Sequence, residues 1–237
     1  MRKGARINME IYNYDQQYCN YKEILERSRA KLLQGGTADP YLLEPDMDTR
    51  MSVSLIIRPP EPISSNIISL TDKLRSEEPD MYYYPQSDMH ITVMDILSGA
   101  PGRQVPDNIS DYALCISECT LNVRPFQIDF VGLTASDGAL LVCGYYERGL
   151  ETLRELLRSS LAAKNLALEE RYKTSSAHIT VARFIKKIGS PERFLRFCNY
   201  GPQFGTMRVS SVELVYHNWY DSKKTTLARF ELGGYTV

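Results

Sequence analysis

The sequence predicts an α+β fold made of two similar half-units, and three observations predict it. From Met51 onward, short runs rich in β-branched and aromatic residues alternate with amphipathic helical stretches. The tetrapeptide H-I-T-V occurs at 90–93 and again at 178–181, 88 residues apart. The repeat extends upstream: YPQSDMHITV at 84–93 and YKTSSAHITV at 172–181 agree at six of ten positions, and together they use two of the three histidines. Each copy falls in a strand-like run, so the chain reads as two α+β lobes that each present one H-I-T-V strand.

The elements follow in order. Residues 15–34 place Tyr18, Tyr21, Ile24, Leu25 and Leu32 near helical spacing, and Gly35-Gly36 ends that helix. With the Pro- and Asp-rich connector behind it, residues 1–50 read as an N-terminal helical extension, and 51–237 as the domain. A strand over 52–57 is stopped by Pro59, Pro60 and Pro62. A helix suits 63–76, strands 81–84 and 89–96, and a second helix 107–120 with Asp107 as its N-cap. Strands at 126–133 and 139–146 are joined by a turn at Ser136-Asp137-Gly138. The helix at 150–165 carries Leu153, Leu156, Leu157 and Leu161 on one side. The second H-I-T-V strand, a short helix near 191–199 and a final hairpin complete the chain. The hairpin strands are 207–220 and 225–232, and YDSKK is the turn.

Bulk properties set limits. With 237 residues, 43% hydrophobic and 24% charged, the chain can bury a sizeable core. A net charge of −1 argues against a protein that grips long nucleic acid by its backbone, though it leaves room for a local basic pocket. No apolar run is long enough for a membrane span, and the N-terminal segment lacks the apolar core of a secretion signal. The five cysteines are odd in number and irregular in spacing, which suits a reducing cytoplasm. Cys115 and Cys119, four apart on a helix, read as buried thiols more readily than as half of a zinc site. No cofactor or metal is expected, and a monomer is.

Side chains on a strand alternate faces, so His90 and Thr92 point one way and Ile91 and Val93 the other; His178, Thr180, Ile179 and Val181 repeat this. Two such strands side by side would place two imidazoles and two hydroxyls in one cleft. That set suits phosphodiester chemistry: one neutral imidazole accepts a proton, a protonated one returns it, and the hydroxyls donate to phosphate oxygens. Two other readings stay open. The H-x-T units could be ordinary half-buried strands, or His90, His178 and His217 could hold a metal, although Thr is a poor zinc partner.

Paired H-x-T-x motifs, here His90-Ile91-Thr92-Val93 and His178-Ile179-Thr180-Val181, resemble those of the 2H phosphoesterase superfamily, over roughly residues 51–232. Its members include the 2′-5′ RNA ligases, cyclic phosphodiesterases and RNA 3′-end trimming enzymes. The resemblance implies a bilobed, pseudo-twofold molecule with two antiparallel sheets facing a central cleft and helices outside. It implies a metal-independent phosphodiesterase acting on a 2′,3′-cyclic phosphate, cyclic nucleotide or RNA terminus, with the two histidines as acid and base and the two threonines on the phosphate. It points to His178 as the base. Ligase activity, or a non-catalytic nucleotide- or RNA-binding module, are the alternatives.

For substrate binding, Tyr172 and Tyr84 lie six residues before their histidines, about 20 Å away if the strand were fully extended. A bend at Pro85 or at Ser175-Ser176 would let either stack on a base. Trp219 and Tyr220 on the last hairpin are further candidates. Ser87 and Ser175, at the odd offset, should face away from the histidines. Arg171, Lys173 and Arg183 could hold a further phosphate, but regular alternation puts Arg183 out of phase with His178.

Overall fold

The computed structural model describes residues 10–233, so 1–9 of the expected extension and 234–237 of the domain lie outside the described residues. The first helix, α1 (Tyr14–Leu33), is followed by β1 (Arg50–Ile57), α2 (Glu61–Arg75), β2 (Met81–Tyr83), β3 (Ile91–Pro101) and α3 (Ile109–Leu121). Then come β4 (Phe126–Ser136), β5 (Ala139–Tyr146), α4 (Arg148–Ala163), β6 (Ile179–Phe184), α5 (Pro191–Cys198), β7 (Gln203–Val209), β8 (Ser211–Asn218) and β9 (Lys224–Glu231).

The strands are antiparallel and run in the order β7-β4-β5-β6-β3-β1-β8-β9, with β2 added beside β6. The two expected sheets are therefore two halves of one hydrogen-bonded sheet. They meet where β3 and β6 pair at Ile91 and Ile179. Each half ends on its own H-I-T-V strand, and these two strands form the seam. Beyond that pair β6 takes β2 as its neighbour, through Met81–Phe184, Tyr82–Arg183 and Tyr83–Ala182.

Two local expectations are corrected. The run 207–220 is not one hairpin strand. It breaks at Ser210: β7 pairs with β4 at one edge of the sheet, and β8 pairs with β1 and β9 near the other. Both pieces alternate apolar and polar residues, so pattern alone could not show that they part company. At the start of α3, Asn108 takes the N-cap position rather than Asp107, and no side chain caps the helix.

α1 is built into the sheet. β6 begins at Ile179, which leaves the edge of β5 at Gly144 and Tyr146 without a strand partner. Gln17 and Tyr21 fill the gap. Gln17 accepts from the Tyr146 N–H at 3.0 Å and donates to its carbonyl at 3.0 Å. The Tyr21 hydroxyl donates to the Gly144 carbonyl at 2.9 Å and accepts from the N–H groups of Gly144 and Ala177. Four residues of helix rise about 6 Å, close to the ~6.8 Å that separates alternate residues of a strand. One helix face can therefore serve as a strand edge. Gln17, Tyr21, Leu25, Ser28 and Leu32 are the buried face, and Tyr18 is exposed. Gly144 must be glycine, because a Cβ there would come within 2.1 Å of the Ala177 carbonyl oxygen. That close approach seats the chain entering the second motif.

Candidate active site at the seam

Ile91 and Ile179 are directly opposed, so their side chains share the buried face. Extending the register by one residue each way sets His90 across from Thr180 and Thr92 across from His178. All four are half-buried, while Met89, Ile91, Val93, Ala177, Ile179 and Val181 are buried. The two histidines then stand on a cross-strand diagonal, which spans about 7–8 Å between backbones in a regular pair.

Both imidazoles are anchored through Nδ1 by the residue two positions upstream. His90 Nδ1 lies 2.9 Å from the Asp88 carbonyl oxygen, and His178 Nδ1 lies 2.8 Å from Ser176 Oγ. A carbonyl only accepts, so neutral His90 keeps its proton on Nδ1 and its lone pair on Nε2. A hydroxyl can donate or accept, so His178 is free to carry its proton on Nε2.

Burial pushes the His90 pKa down to about 4; the carboxylate of Asp221 works against this, and His217 and Arg58 add to it. Burial likewise brings His178 down to about 4, aided by the positive fields of His90, Arg154 and Arg183. The unliganded pair is therefore neutral at pH 7.

Behind His90 lies a cluster centred on Asp221, a fully buried carboxylate in the left-handed region at φ 58°. It pairs with Arg58, sits 3.2 Å from Lys224 Nζ, and approaches His90 Nδ1 at 3.9 Å. His217 Nδ1 lies 3.2 Å from it without hydrogen-bond alignment, and the His217 ring meets His90 edge-on at 5.7 Å. Burial opposes ionisation of Asp221, but contacts from His217 and Arg58 outweigh it and hold the carboxyl well below the usual range. The third histidine thus belongs to the His90 side of the site. Among the described residues, no three His, Cys, Asp or Glu side chains are placed to hold one metal ion.

Beneath both motifs lies Arg154 of α4, fully buried. Its Nε donates to the Val93 carbonyl at 2.9 Å; one terminal nitrogen donates to those of Thr92 and Ser176 at 3.1 and 2.6 Å. The other terminal nitrogen is buried without a partner. A single guanidinium therefore ties the backbones of the two motifs together.

The aromatic candidates divide. Tyr172 is 65% exposed at the rim. Tyr84 is 4% exposed and its hydroxyl accepts from Arg183 Nε at 2.9 Å; Tyr220 is 4% exposed and donates to Asp39. Neither buried ring offers a free face to a base, which corrects that expectation. Trp219 is half-buried with Arg50, Arg171 and Arg183 around its ring. Ser87 and Ser175 are exposed.

Arg183 is also corrected. Thr180 and Ala182 stand opposite the consecutive residues Leu141 and Leu140, so β6 bulges after Thr180 and its alternation reverses. Arg183 returns to the half-buried side, close enough to depress His178. β3 bulges at the equivalent step, Thr92 and Met94 facing Ile56 and Leu55. The internal repeat therefore includes the bulge, and Asp95 occupies the position that Arg183 has in the second copy.

Comparison with solved structures places this architecture. A Thermus thermophilus protein, TT0787, superposes with a TM-score of 0.58 at 17% identity, over 79% of this chain and 100% of its own. E. coli LigT complexed with 3′-AMP gives 0.55 at 16% identity, over 78% and 99%. A structure described as a phosphoesterase gives 0.54 at 18%, over 79% and 99%. The fold is that of the LigT-type phosphoesterases. No family model matches the chain, and no curated protein does. At these identities the likeness establishes the LigT-type fold alone.

Proposed function

We propose that the protein is a metal-independent phosphodiesterase working by histidine acid–base catalysis on a cyclic phosphate or RNA terminus. The observation that carries this reading is the single β3–β6 pair, which sets His90, Thr92, His178 and Thr180 side by side on one face of the seam. A phosphate between the imidazoles would meet both rings and both hydroxyls. His90, with its lone pair on Nε2, takes a proton from water as the water oxygen attacks phosphorus. His178, as imidazolium, gives its proton to the departing ribose oxygen. This reverses the assignment that the family resemblance suggests, and it rests on the acceptor-only partner of His90 Nδ1. A bound phosphodiester anion lies next to both rings and favours protonation of one of them, so substrate binding should take up a proton. The fold's relatives agree with a nucleotide ligand, since LigT has been solved with 3′-AMP and with NADP+.

The test is a screen of 2′,3′-cyclic nucleotides and cyclic-phosphate-ended oligonucleotides, with products identified by mass spectrometry, in the presence of EDTA. Hydrolysis that persists in chelator supports the reading. Activity lost with EDTA and restored by zinc or magnesium would overturn it, and binding without turnover would replace it with a non-catalytic module.

A further inference from the structure

The two motifs repeat in sequence, register and bulge, yet the next cleft-side position differs in charge. Five residues after each histidine stands Asp95 in the first copy and Arg183 in the second. Asp95 accepts from Ser54 Oγ at 2.9 Å. Arg183 leads to Trp219, the only tryptophan in the chain.

Three guanidinium groups surround that indole. Arg50 lies 4.7 Å from the ring centre, Arg171 5.4 Å and Arg183 5.5 Å. Arg50 is neutralised by Asp48 at 2.7 Å and also lies 4.5 Å from the ring centre of Tyr41. Among the described residues, Arg171 and Arg183 have no carboxylate partner; Arg183 spends Nε on the Tyr84 hydroxyl, which leaves its terminal nitrogens. A cation–π contact with an indole uses none of a guanidinium's N–H donors, which stay available to bind phosphate oxygens in pairs. Two like charges held near one ring repel each other, and an anion bound close to them offsets that cost. Exposed Tyr172 stands in the field of Arg171, Arg183 and Asp95, so all three belong to the same rim.

We infer that Arg171 and Arg183, both within cation–π range of Trp219, form a second anion subsite beside the His–Thr seam, and that the substrate is a nucleotide carrying a second phosphate group that docks there. This rests on the phosphodiesterase reading of the seam. It adds polarity to a cleft whose motifs are otherwise symmetric. With arginine at one equivalent position and aspartate at the other, a ligand with two phosphates has only one favourable orientation.

Calorimetric titration with adenosine 3′-monophosphate and adenosine 3′,5′-bisphosphate tests it. The wild type should bind the bisphosphate about tenfold more tightly at low salt, as expected for one more hydrogen-bonded charge contact, and the ratio should shrink as salt is added. Arg171→Met, at an exposed position, should bring the ratio toward one, Arg171→Lys should keep part of it, and Asp95→Asn should increase it. Trp219 emission should change with the bisphosphate and not with the monophosphate. Equal affinities in the wild type, or a ratio that Arg171→Met leaves intact, overturn the subsite. If monophosphate binding is nevertheless weakened by Thr92→Val and Thr180→Val, the seam reading survives that result. If neither nucleotide binds at millimolar concentration, both fall together.

Discussion

At the scale of single residues, the tautomer of His90 and the low pKa values of both imidazoles have kinetic consequences. Turnover needs one proton on the pair, but the free pair holds none at pH 7 because burial lowers both to about 4. The profile of kcat/KM reports free-enzyme groups, so it should peak on the acidic side of pH 6 and fall as pH rises. The profile of kcat, which reports the complex, should peak at higher pH. A kcat/KM optimum at pH 7–8 would contradict this account. His90→Ala and His178→Ala should each lose about a hundredfold or more on a ribose-leaving substrate. An aryl phosphodiester with p-nitrophenolate as leaving group needs no acid, so it should restore much of the rate of His178→Ala and little of that of His90→Ala. The opposite pattern would make His178 the base. Thr92→Val and Thr180→Val keep shape but lose a donor, and each should cost up to about 3 kcal/mol of transition-state stabilisation.

At the scale of elements, Arg154 shows how one helix controls two strands. Removing its side chain strands the carbonyls of Thr92, Val93 and Ser176 in the core, where each unpaired group costs about 1–3 kcal/mol. Arg154→Met should therefore lower stability by at least about 2 kcal/mol and, by removing a positive charge, raise the pKa of His178 in an NMR titration. Arg154→Lys keeps the charge and should leave His178 depressed even where it destabilises. Unchanged melting and an unchanged His178 titration in Arg154→Met would end the argument. The residue was legible in principle: Leu150, Arg154, Leu157 and Leu161 share one apolar stripe, so an arginine in that phase must be buried. Much else was legible for the same reason. The helices and most strands followed from periodicity, and the H-x-T pair from alternation plus repetition. What escaped depends on interruptions of period. The bulges after Thr92 and Thr180 leave no mark in composition, so Arg183 was assigned to the wrong face. The break at Ser210 separates two runs with the same pattern. Asp221 sits in a turn, YDSKK, where an aspartate in the left-handed region is ordinary turn chemistry. Only the fold brings it within reach of His90.

At the scale of the whole molecule, the seam sets a limit on stability in acid. The two motif strands meet at one registered pair, and the groups beside it are imidazoles held neutral by burial. In the unfolded chain a histidine takes up its proton near pH 6.5, whereas in the native protein His90 and His178 wait until about pH 4. The folded state therefore binds fewer protons across this window. Stability from the pair is complete above pH 6.5 and is lost as pH falls toward 4, on the order of 3 kcal/mol per histidine. Asp221, held below the usual carboxylate range, keeps its contribution through this window and loses it only at lower pH. For a chain of this size, about 2–4 °C of melting temperature accompanies each kcal/mol. Calorimetric melting of the wild type from pH 8 to pH 4.5 should show a loss that His90→Asn/His178→Asn lacks in large part. Inorganic phosphate should shrink the loss in the wild type, because an anion between the rings raises their native pKa values toward the unfolded ones. If the wild type and the double variant lose stability in parallel between pH 6.5 and 4.5, the imidazoles are not buried as neutral groups, and the proton uptake assigned to substrate binding goes with them.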